Sequence, residues 1–324
     1  MNHAMPRKIT FLLALIVTLA LPLLMRSGSL ASEVLIYALA ALGCNLLLGH
    51  TGLLSFGQGI FFGLGSYTIA ILLTRLQLPM PLALLAAIAM GALGAAVVGW
   101  VAIRQRGTYF VMLTLAFAQM FYFVAYTASG LTGGDNGLLD VPRPTFMDTP
   151  WKYYAFVAVM FLIAFGLLLR VTDSIFGRTL LAIRDNEDRA TAVGYNLKRF
   201  KLLAFVISGA VTGLAGGLHA MMTGIAPLSN AEYHTSEMIL VITVIGGTGN
   251  LFASVLGSAF YVLLADWLST LWPRWLLLLG LLLIGVSIGM QRGLWGLGES
   301  VWRRVFRKTP PSALLAPEAQ GEKA

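Results

Sequence analysis

The sequence contains few residues that could carry out a chemical reaction. None of its four histidines belongs to an HExxH or HxE pattern that would indicate a zinc site. The single cysteine, Cys44, lies within an apolar run, where a small packing residue is expected. There is no GxxxxGK[ST] motif, so the chain is not expected to bind ATP through a P-loop of its own. We therefore expect no enzyme activity, no metal and no resident cofactor.

One segment does combine charged and small residues in a pattern that could serve a function. The first part of residues 174–196 is amphipathic, a dense mixed-charge turn follows, and then comes an alanine-rich helical turn that stops at Gly194. A glycine directly after such a turn is a normal helix stop. Because ordinary connections need only a few residues, this long charged connection indicates a docking surface for another protein. A solvated amphipathic helix on a membrane surface is the alternative.

The rest of the composition indicates a membrane protein. Of the 324 residues, 58% are hydrophobic and only 11% are charged, whereas soluble domains carry about a quarter charged residues. The apolar residues form runs of nearly membrane-spanning length. We predict an all-α, polytopic transmembrane helical bundle of about ten spans or half-spans, with glycine-rich interrupted helices. The predicted apolar segments are 9–25, 34–48, 53–73, 80–103, 109–128, 153–169, 202–222, 238–250, 251–266 and 275–290.

The basic residues give the expected orientation of these segments. The net charge of +8 comes from lysines and arginines in short stretches between apolar runs, which is the positive-inside pattern rather than a nucleic-acid-binding face. The pattern places both termini in the cytoplasm and the loop 129–152 outside. We expect a membrane domain over residues 1–308, with 170–201 as a cytoplasmic loop, and a disordered cytoplasmic tail over 309–324.

A glycine-rich break divides the segments near the C-terminal end of the membrane domain. The parity of the spans requires a break within Gly246-Gly247-Thr248-Gly249-Asn250, and the halves 238–250 and 251–266 look too short for straight spans. Broken helices of this kind occur where protein or a water-filled cavity covers the backbone. Thr51–Gly57 weakly echoes Thr248–Ser254, which points to paired elements of a transport pathway, with chance similarity as the alternative. Whether the two halves cross the membrane or re-enter it stays open.

Small residues recur every four positions in three apolar segments. This spacing lets helix backbones approach closely in lipid, so it predicts tight helix packing rather than a functional site. The three sets are Gly91, Ala95 and Gly99; Gly209, Gly213 and Gly217; and Gly285, Gly289 and Gly293.

Five stretches have a distinctive pattern of glycine, aromatic and charged residues: Gly52–Tyr67, Arg106–Leu115, Leu131–Leu138, Phe176–Glu187 and Lys201–Gly217. Together they resemble the LivM-type permeases of branched-chain amino acid ABC transporters. The resemblance covers most of residues 34–290. Asp188-Arg189-Ala190, with Gly194 at the matching spacing, is similar to the EAA-x-x-x-Gly motif of importer permeases, although two of its first three letters differ.

The resemblance implies a transport subunit of the bacterial inner membrane. Such permeases work with a second related permease, two P-loop ATPases that bind the ATP, and a periplasmic solute-binding protein. It implies that ATPase coupling is carried by Arg184, Asp185, Asn186, Glu187, Asp188, Ala190 and Gly194. It also points to a translocation path involving Thr132, Gly133, Gly134, Asp135 and Asn136 outside, and Gly246, Gly247, Thr248, Gly249 and Asn250 in the membrane. The outer group could equally be a tight turn.

Other functions remain open at this stage. The same architecture could import urea, short amides or another small amino acid, and the partner permease could be a second copy of this chain. A channel or ion-coupled carrier acting alone would need ionisable residues within its spans, which are scarce here. A membrane-embedded enzyme would need convergent His, Asp or Glu residues, and the sequence shows no such pattern.

Overall fold

The computed structural model describes residues 7–25, 27–144, 147–271, 274, 276–281, 284 and 293–296. Within these residues the chain is helical, with one isolated β-bridge between Leu138 and Ala226 and no strand. The helices are α1 (Arg7–Leu24), α2 (Gly28–Asn45), α3 (Gln58–Thr74), α4 (Met80–Ala102), α5 (Thr108–Thr127), α6 (Ser129–Thr132), α7 (Pro150–Asp173), α8 (Ile175–Asp185), α9 (Glu187–Ala192), α10 (Leu197–Thr223), α11 (Tyr233–Gly246) and α12 (Leu251–Leu271). A π-helical turn, Leu46–Thr51, continues α2, and 3-10 turns occupy Gly134–Asn136 and Leu228–Ala231.

Six of the helices in the described residues are long and apolar enough to cross a membrane. They are α2 with its π-helical turn, α4, α5, α7, α10 and α12. Three shorter apolar helices lie at Ile9–Leu23, Gln58–Thr74 and Tyr233–Gly246. The predicted all-α bundle is therefore confirmed. The count of about ten spans stays a prediction, because most of segment 275–290 lies outside the described residues, as does the predicted tail 309–324.

The core of the bundle forms around α10, which packs against α2, α3 and α4. Two of the predicted small-residue sets face each other across the contact between α4 and α10. A β-carbon at Gly213 would lie only 3.0 Å from Gly91 Cα, so neither position has room for a side chain. This confirms the predicted close packing of these two helices. Gly285 and Gly289 lie outside the described residues.

Two segment boundaries differ from the predictions around α2 and α3. Helix α2 begins at Gly28 rather than at residue 34. Ser32 does not interrupt the helix, because its hydroxyl donates a hydrogen bond to the Gly28 carbonyl oxygen (2.8 Å). Residues 53–57 are not helical, although they are apolar. Side chains satisfy part of this irregular backbone, since the Phe56 amide donates to Thr114 Oγ1 at 3.1 Å.

The predicted break between the segments 238–250 and 251–266 is present, but the second of these segments is longer than expected. Helix α11 ends at Gly246, and α12 runs 21 residues to Leu271. The estimate that both halves are too short was wrong for α12, because the exposed Asp266 lies on the helix instead of ending it. Asn250 starts α12, accepting from the Phe252 amide at 3.0 Å as an N-cap.

The loops gather at two opposite ends of the bundle. An ion pair from Arg106 to Glu187 (3.6 Å) places the loop after α4 beside α9, and we call this the α9 end. At the other end the Leu138 amide donates to the Ala226 carbonyl at 3.0 Å, and we call this the α6 end. The loops predicted to lie inside the cell therefore share one end, and the loop 129–152 lies at the other.

Candidate functional site

The segment between α7 and α10 forms two short helices with well-defined starts. The Asn186 side chain caps α9 by accepting from the Arg189 amide at 2.9 Å, and Asn196 caps α10 by accepting from the Arg199 amide at 3.2 Å. The Ser174 hydroxyl does the same for α8. Such caps satisfy backbone donors that a helix start leaves free, and each stabilises its helix by about 1 kcal/mol. The segment is therefore a structured surface rather than a simple connection.

Helix α9 ends at Ala192, and Gly194 follows its C-cap as the stop that the sequence predicted. The Gly194 amide donates to the Thr191 carbonyl (2.9 Å) and the Tyr195 amide to the Ala190 carbonyl (3.1 Å), which is the Schellman arrangement. Gly194 has a φ of +96°, a conformation that residues with a β-carbon rarely adopt. The glycine at this position is required by the backbone.

The residues predicted to couple to an ATPase fall into three groups. Asp185, Asn186, Asp188 and Gly194 are exposed to solvent at the α9 end, where a partner protein could contact them. Ala190 is buried with 5% of its surface exposed, so it packs α9 onto the protein. Glu187 and Arg184 bind other parts of the chain, as described next. Their role in coupling stays a prediction.

Glu187 holds α9 to the start of α10. Its Oε1 accepts from Lys201 Nζ at 2.6 Å, and its Oε2 lies 3.6 Å from Arg106 Nε. The Lys201 side chain is only 6% exposed, so the carboxylate neutralises a nearly buried ammonium group. Glu187 therefore positions the α8–α9 segment on the bundle. The exposed residues beside Glu187 can then contact a partner protein.

Arg184 connects α8 to the end of α2. Its guanidinium donates to the carbonyl oxygen of Gly49, which lies in the π-helical turn Leu46–Thr51. Its aliphatic stem covers Gly52, where a β-carbon would lie 3.3 Å from Arg184 Cγ. The surface segment is thereby joined directly to a helix of the bundle core.

The glycine-rich break lies against the same turn. Asn45, the last residue of α2, is fully buried and donates to the Asn250 carbonyl (2.8 Å) and to Ser254 Oγ (3.0 Å). Its side-chain oxygen accepts from the Gly249 amide at 3.0 Å. A β-carbon at Gly49 would lie 3.0 Å from Gly249 Cα. The end of α2 and the break that follows α11 therefore meet in space, through Asn45 and Gly49, which directly precede the echo segment Thr51–Gly57.

The outer group of predicted path residues forms a compact turn at the α6 end. Thr132 donates to the Ala125 carbonyl at 2.6 Å and accepts from the Gly134 amide at 3.2 Å. Gly133, Gly134 and Gly137 all have positive φ angles, whereas Asp135 and Asn136 are exposed. This geometry is that of a tight turn, which was the alternative interpretation of Thr132–Asn136.

The structure does not bring the two predicted path groups together. The turn Thr132–Asn136 lies at the α6 end, and the break Gly246–Asn250 lies beside Arg184 at the α9 end. Helix α10 extends from one end to the other over 27 residues, or about 40 Å. A path that involves both groups would have to cross the whole bundle, and this role stays a prediction for both.

Buried amides were missed by the sequence analysis, which searched the apolar segments for charged residues. Besides Asn45, Gln58 is fully buried, donating to Ser208 Oγ (3.0 Å) and accepting from Thr212 Oγ1 (2.7 Å). Asn230 donates to Ser66 Oγ at 2.9 Å. The sequence did offer a signal for these residues, an Asn or Gln within or beside an apolar run. A polar side chain buried at such a position needs hydrogen-bond partners. Among the described residues no group of three or more His, Cys, Asp and Glu side chains could hold a metal ion.

Helix α5 is the least buried of the span-length helices. Its buried stripe consists of Phe110, Thr114, Ala118 and Ala125, and its other residues are half-buried or exposed in this single chain. The exposed part includes the amide of Gln119 near the middle of the helix. By contrast, the exposed residues of α4 are all apolar. Because an amide facing hydrocarbon is unfavourable, the Gln119 face is suited to protein or water rather than to lipid.

Comparison with known proteins links this architecture to transport. The family described as "Branched-chain amino acid transport system / permease component" matches residues 27–287. The high-affinity branched-chain amino acid transport system permease protein LivM of Escherichia coli is 31% identical over 88% of this chain and 74% of its own length. The Salmonella typhimurium LivM is 30% identical over 89% and 75%. The autoinducer 2 import system permease protein LsrC of an Enterobacter strain is 27% identical over 80% and 76%. No solved structure matches the chain.

Proposed function

The chain belongs to the branched-chain amino acid transport permease family, and from this premise we propose that it is the membrane-spanning permease subunit of an ABC importer for branched-chain amino acids. The observation that carries the proposal is the α8–α9 segment. It is capped at each helix start, exposes Asp185 and Asp188, and is joined by Arg184 to the core of the bundle. A subunit that receives movement from a partner needs such a rigid surface.

The chain itself supplies binding surfaces and movement rather than chemistry. Since the sequence has no P-loop, ATP is bound and hydrolysed by two separate ATPase subunits that dock at the α9 end. That end faces the cytoplasm, because it carries the basic residues of the loop 170–201. The α6 end then faces the periplasm, where a solute-binding protein delivers the amino acid.

A second permease subunit completes the transport path. The exposed face of α5 with Gln119 is the surface that supports this assignment, because it combines an amide with large side chains and is poorly suited to lipid. The path in this proposal runs between the two permeases along α5, from the turn at the α6 end towards the break at the α9 end.

A different small solute is the second candidate for the cargo. One similar permease is named for autoinducer 2 import, so relatives of this chain are not restricted to amino acids by name. Urea or a short amide would fit the same architecture. We favour branched-chain amino acids because the family description and the two LivM relatives name that class.

The proposal is tested by isolating the tagged chain from its native membrane in mild detergent and identifying the bound proteins by mass spectrometry. We expect a P-loop ATPase and a second polytopic subunit in comparable amounts. Uptake of radiolabelled leucine by the reconstituted complex should then require ATP and the binding protein, and excess isoleucine or valine should compete with it. Recovery of the chain alone as a transport-competent oligomer would overturn the proposal in favour of a channel or secondary carrier.

A further inference from the structure

We propose that the π-helical turn Leu46–Thr51 transmits the movement of α8 to the break between α11 and α12, with Asn45 as the residue that positions the break on this turn. The inference rests on the proposed function, because α8 moves only if an ATPase docks on it. It adds a specific route inside the membrane domain and a residue that lies outside the docking surface.

The first link joins the surface segment to the turn. Arg184 donates to the Gly49 carbonyl, and its stem lies over Gly52 directly after the turn. This contact joins residues that are 135 positions apart in the chain, so it is a tertiary link rather than a local one. A displacement of α8 therefore acts on the middle and on the end of the turn together.

The second link joins the turn to the break. Asn45 uses both ends of its amide, donating to Asn250 O and Ser254 Oγ while it accepts from Gly249 N. The backbones of Gly49 and Gly249 lie close together, because a β-carbon at Gly49 would lie only 2.5 Å from the Gly249 nitrogen. The end of α11 and the start of α12 are thus fixed to the end of α2.

The turn itself departs from the hydrogen-bond register of α2, which it continues at the C-terminal end. Single π-helical turns are rare and are frequently found at functional sites. Here the Leu47 carbonyl is shared by three donors, the amides of Gly52 and Leu53 (3.2 Å for Leu53) and the hydroxyl of Thr51 (2.5 Å). In the same turn His50 Nδ1 is buried without a hydrogen-bond partner among the described residues. A shift of one residue in hydrogen-bond register would redistribute these donors and move Gly49 along the helix.

The consequence is a coupling that can be broken without disturbing the docking surface. If Asn45 loses its amide, α8 and the turn still move with the ATPase, but the break no longer follows them. The complex then hydrolyses ATP without the matching transport. A purely structural role for Asn45 would instead lower ATP hydrolysis and transport in the same proportion.

The first test compares Asn45→Ala with Ser258→Ala in the complete complex reconstituted with its binding protein. Ser258 is the matched control, because its hydroxyl also joins α12 to α2 in the buried core, donating to the Val34 carbonyl at 2.6 Å, but it does not contact the break. We expect the number of solute molecules transported per ATP to fall about tenfold in Asn45→Ala and to stay close to the wild-type value in Ser258→Ala. An unchanged ratio in Asn45→Ala, or an equal fall in both variants, would overturn the inference.

The second test measures hydrogen exchange in the wild-type complex and in Asn45→Ala, with and without a non-hydrolysable ATP analogue. In the wild type we expect the analogue to change exchange in peptides covering Arg184, Leu46–Thr51 and the break Gly246–Asn250. In Asn45→Ala the change should persist in the first two and disappear in the break. A change at the break that persists without the amide would overturn the inference, and so would a wild-type change confined to α8.

The wild-type exchange experiment decides the question even if Asn45→Ala does not assemble. It also separates this inference from the proposed function. If no ATPase is bound, or if α8 itself does not respond to the analogue, the proposed coupling fails as a whole. If α8 responds and the π-helical turn and the break do not, only the route through Asn45 is wrong.

Discussion

Lys201 Nζ lies 2.6 Å from Glu187 Oε1, and this salt bridge joins α9 to the start of α10. The lysine side chain is 6% exposed and the glutamate 32%, so the positive charge is the more deeply buried of the two. A nearly buried ammonium group depends on its partner, because without the carboxylate it would be left unpaired away from water. The pair therefore fixes the α8–α9 segment on the bundle, and its removal should loosen that segment.

We predict that Glu187→Gln destabilises the segment by about 1–3 kcal/mol, since it replaces a charged acceptor of the Lys201 ammonium by a neutral one. The measurements are the thermal unfolding midpoint of the purified protein and the rate of proteolysis within residues 174–196. Arg106→Gln is the control, because Arg106 is 70% exposed and its pairing with Glu187 should contribute less than about 1 kcal/mol. Equal effects of the two variants would contradict the assignment.

The second prediction concerns Gly194, whose φ of +96° disfavours any residue with a β-carbon. No atom lies within 4 Å of the position of such a β-carbon, so Gly194→Ala and Gly194→Arg should lose the same stability, about 1–2 kcal/mol. Thermal unfolding of both variants checks this. If the exposed surface docks an ATPase, Gly194→Arg should additionally reduce ATPase co-purification, and Gly194→Ala should not.

Asp188 tests the same surface without backbone strain. Because its side chain is exposed but lies in the first turn of α9, Asp188→Lys should lower the stability by at most about 1 kcal/mol through the lost helix-dipole interaction. We predict that it reduces both co-purification of the ATPase and uptake, while the amount of protein in the membrane stays the same. Normal uptake in this variant, together with normal uptake in Gly194→Arg, would contradict the docking assignment.

The sequence predicted the helices well because a membrane-spanning helix is a local feature, a single long apolar run. It misplaced two helix ends, because the predicted segments 34–48 and 251–266 begin just after Glu33 and end at Asp266. Glu33 lies within α2 and Asp266 within α12, where each is at least partly exposed and so does not need to leave the helix. The stop at Gly194 was predicted correctly, since a helix C-cap depends on residues that are close together in the chain.

The contacts around the break could not be predicted in the same way. The hydrogen bond between Asn45 and Gly249 joins residues 204 positions apart, and the one between Arg184 and Gly49 joins residues 135 apart. Such pairings depend on the three-dimensional packing of α2, α8 and α12. The glycines of the break form a recognisable pattern in the sequence, but Asn45, whose side-chain amide binds them, belongs to no motif.

The close packing of α4 and α10 gives a further prediction. A β-carbon at Gly213 would lie 2.7 Å from the Ala87 carbonyl oxygen and 3.0 Å from Gly91 Cα, so Gly213→Ala should force the helices apart. We predict a loss of about 1–3 kcal/mol, measured by thermal unfolding in detergent. Gly130→Ala is the control, because Gly130 is exposed and no atom lies near its β-carbon position. Similar losses in both variants would show that the packing is not tight at Gly213.

The last prediction concerns Gln119 on the exposed face of α5. If this face borders the transport path or a second permease, Gln119→Leu removes a hydrogen bond worth about 1 kcal/mol and should lower uptake about fivefold. The variant should insert and fold normally, because leucine is favourable in lipid. Leu93→Met on the apolar exposed face of α4 is the control, and it should leave uptake unchanged. If α5 instead faces lipid, Gln119→Leu should raise the stability of the protein and leave uptake unchanged, because it removes an unpaired amide from hydrocarbon.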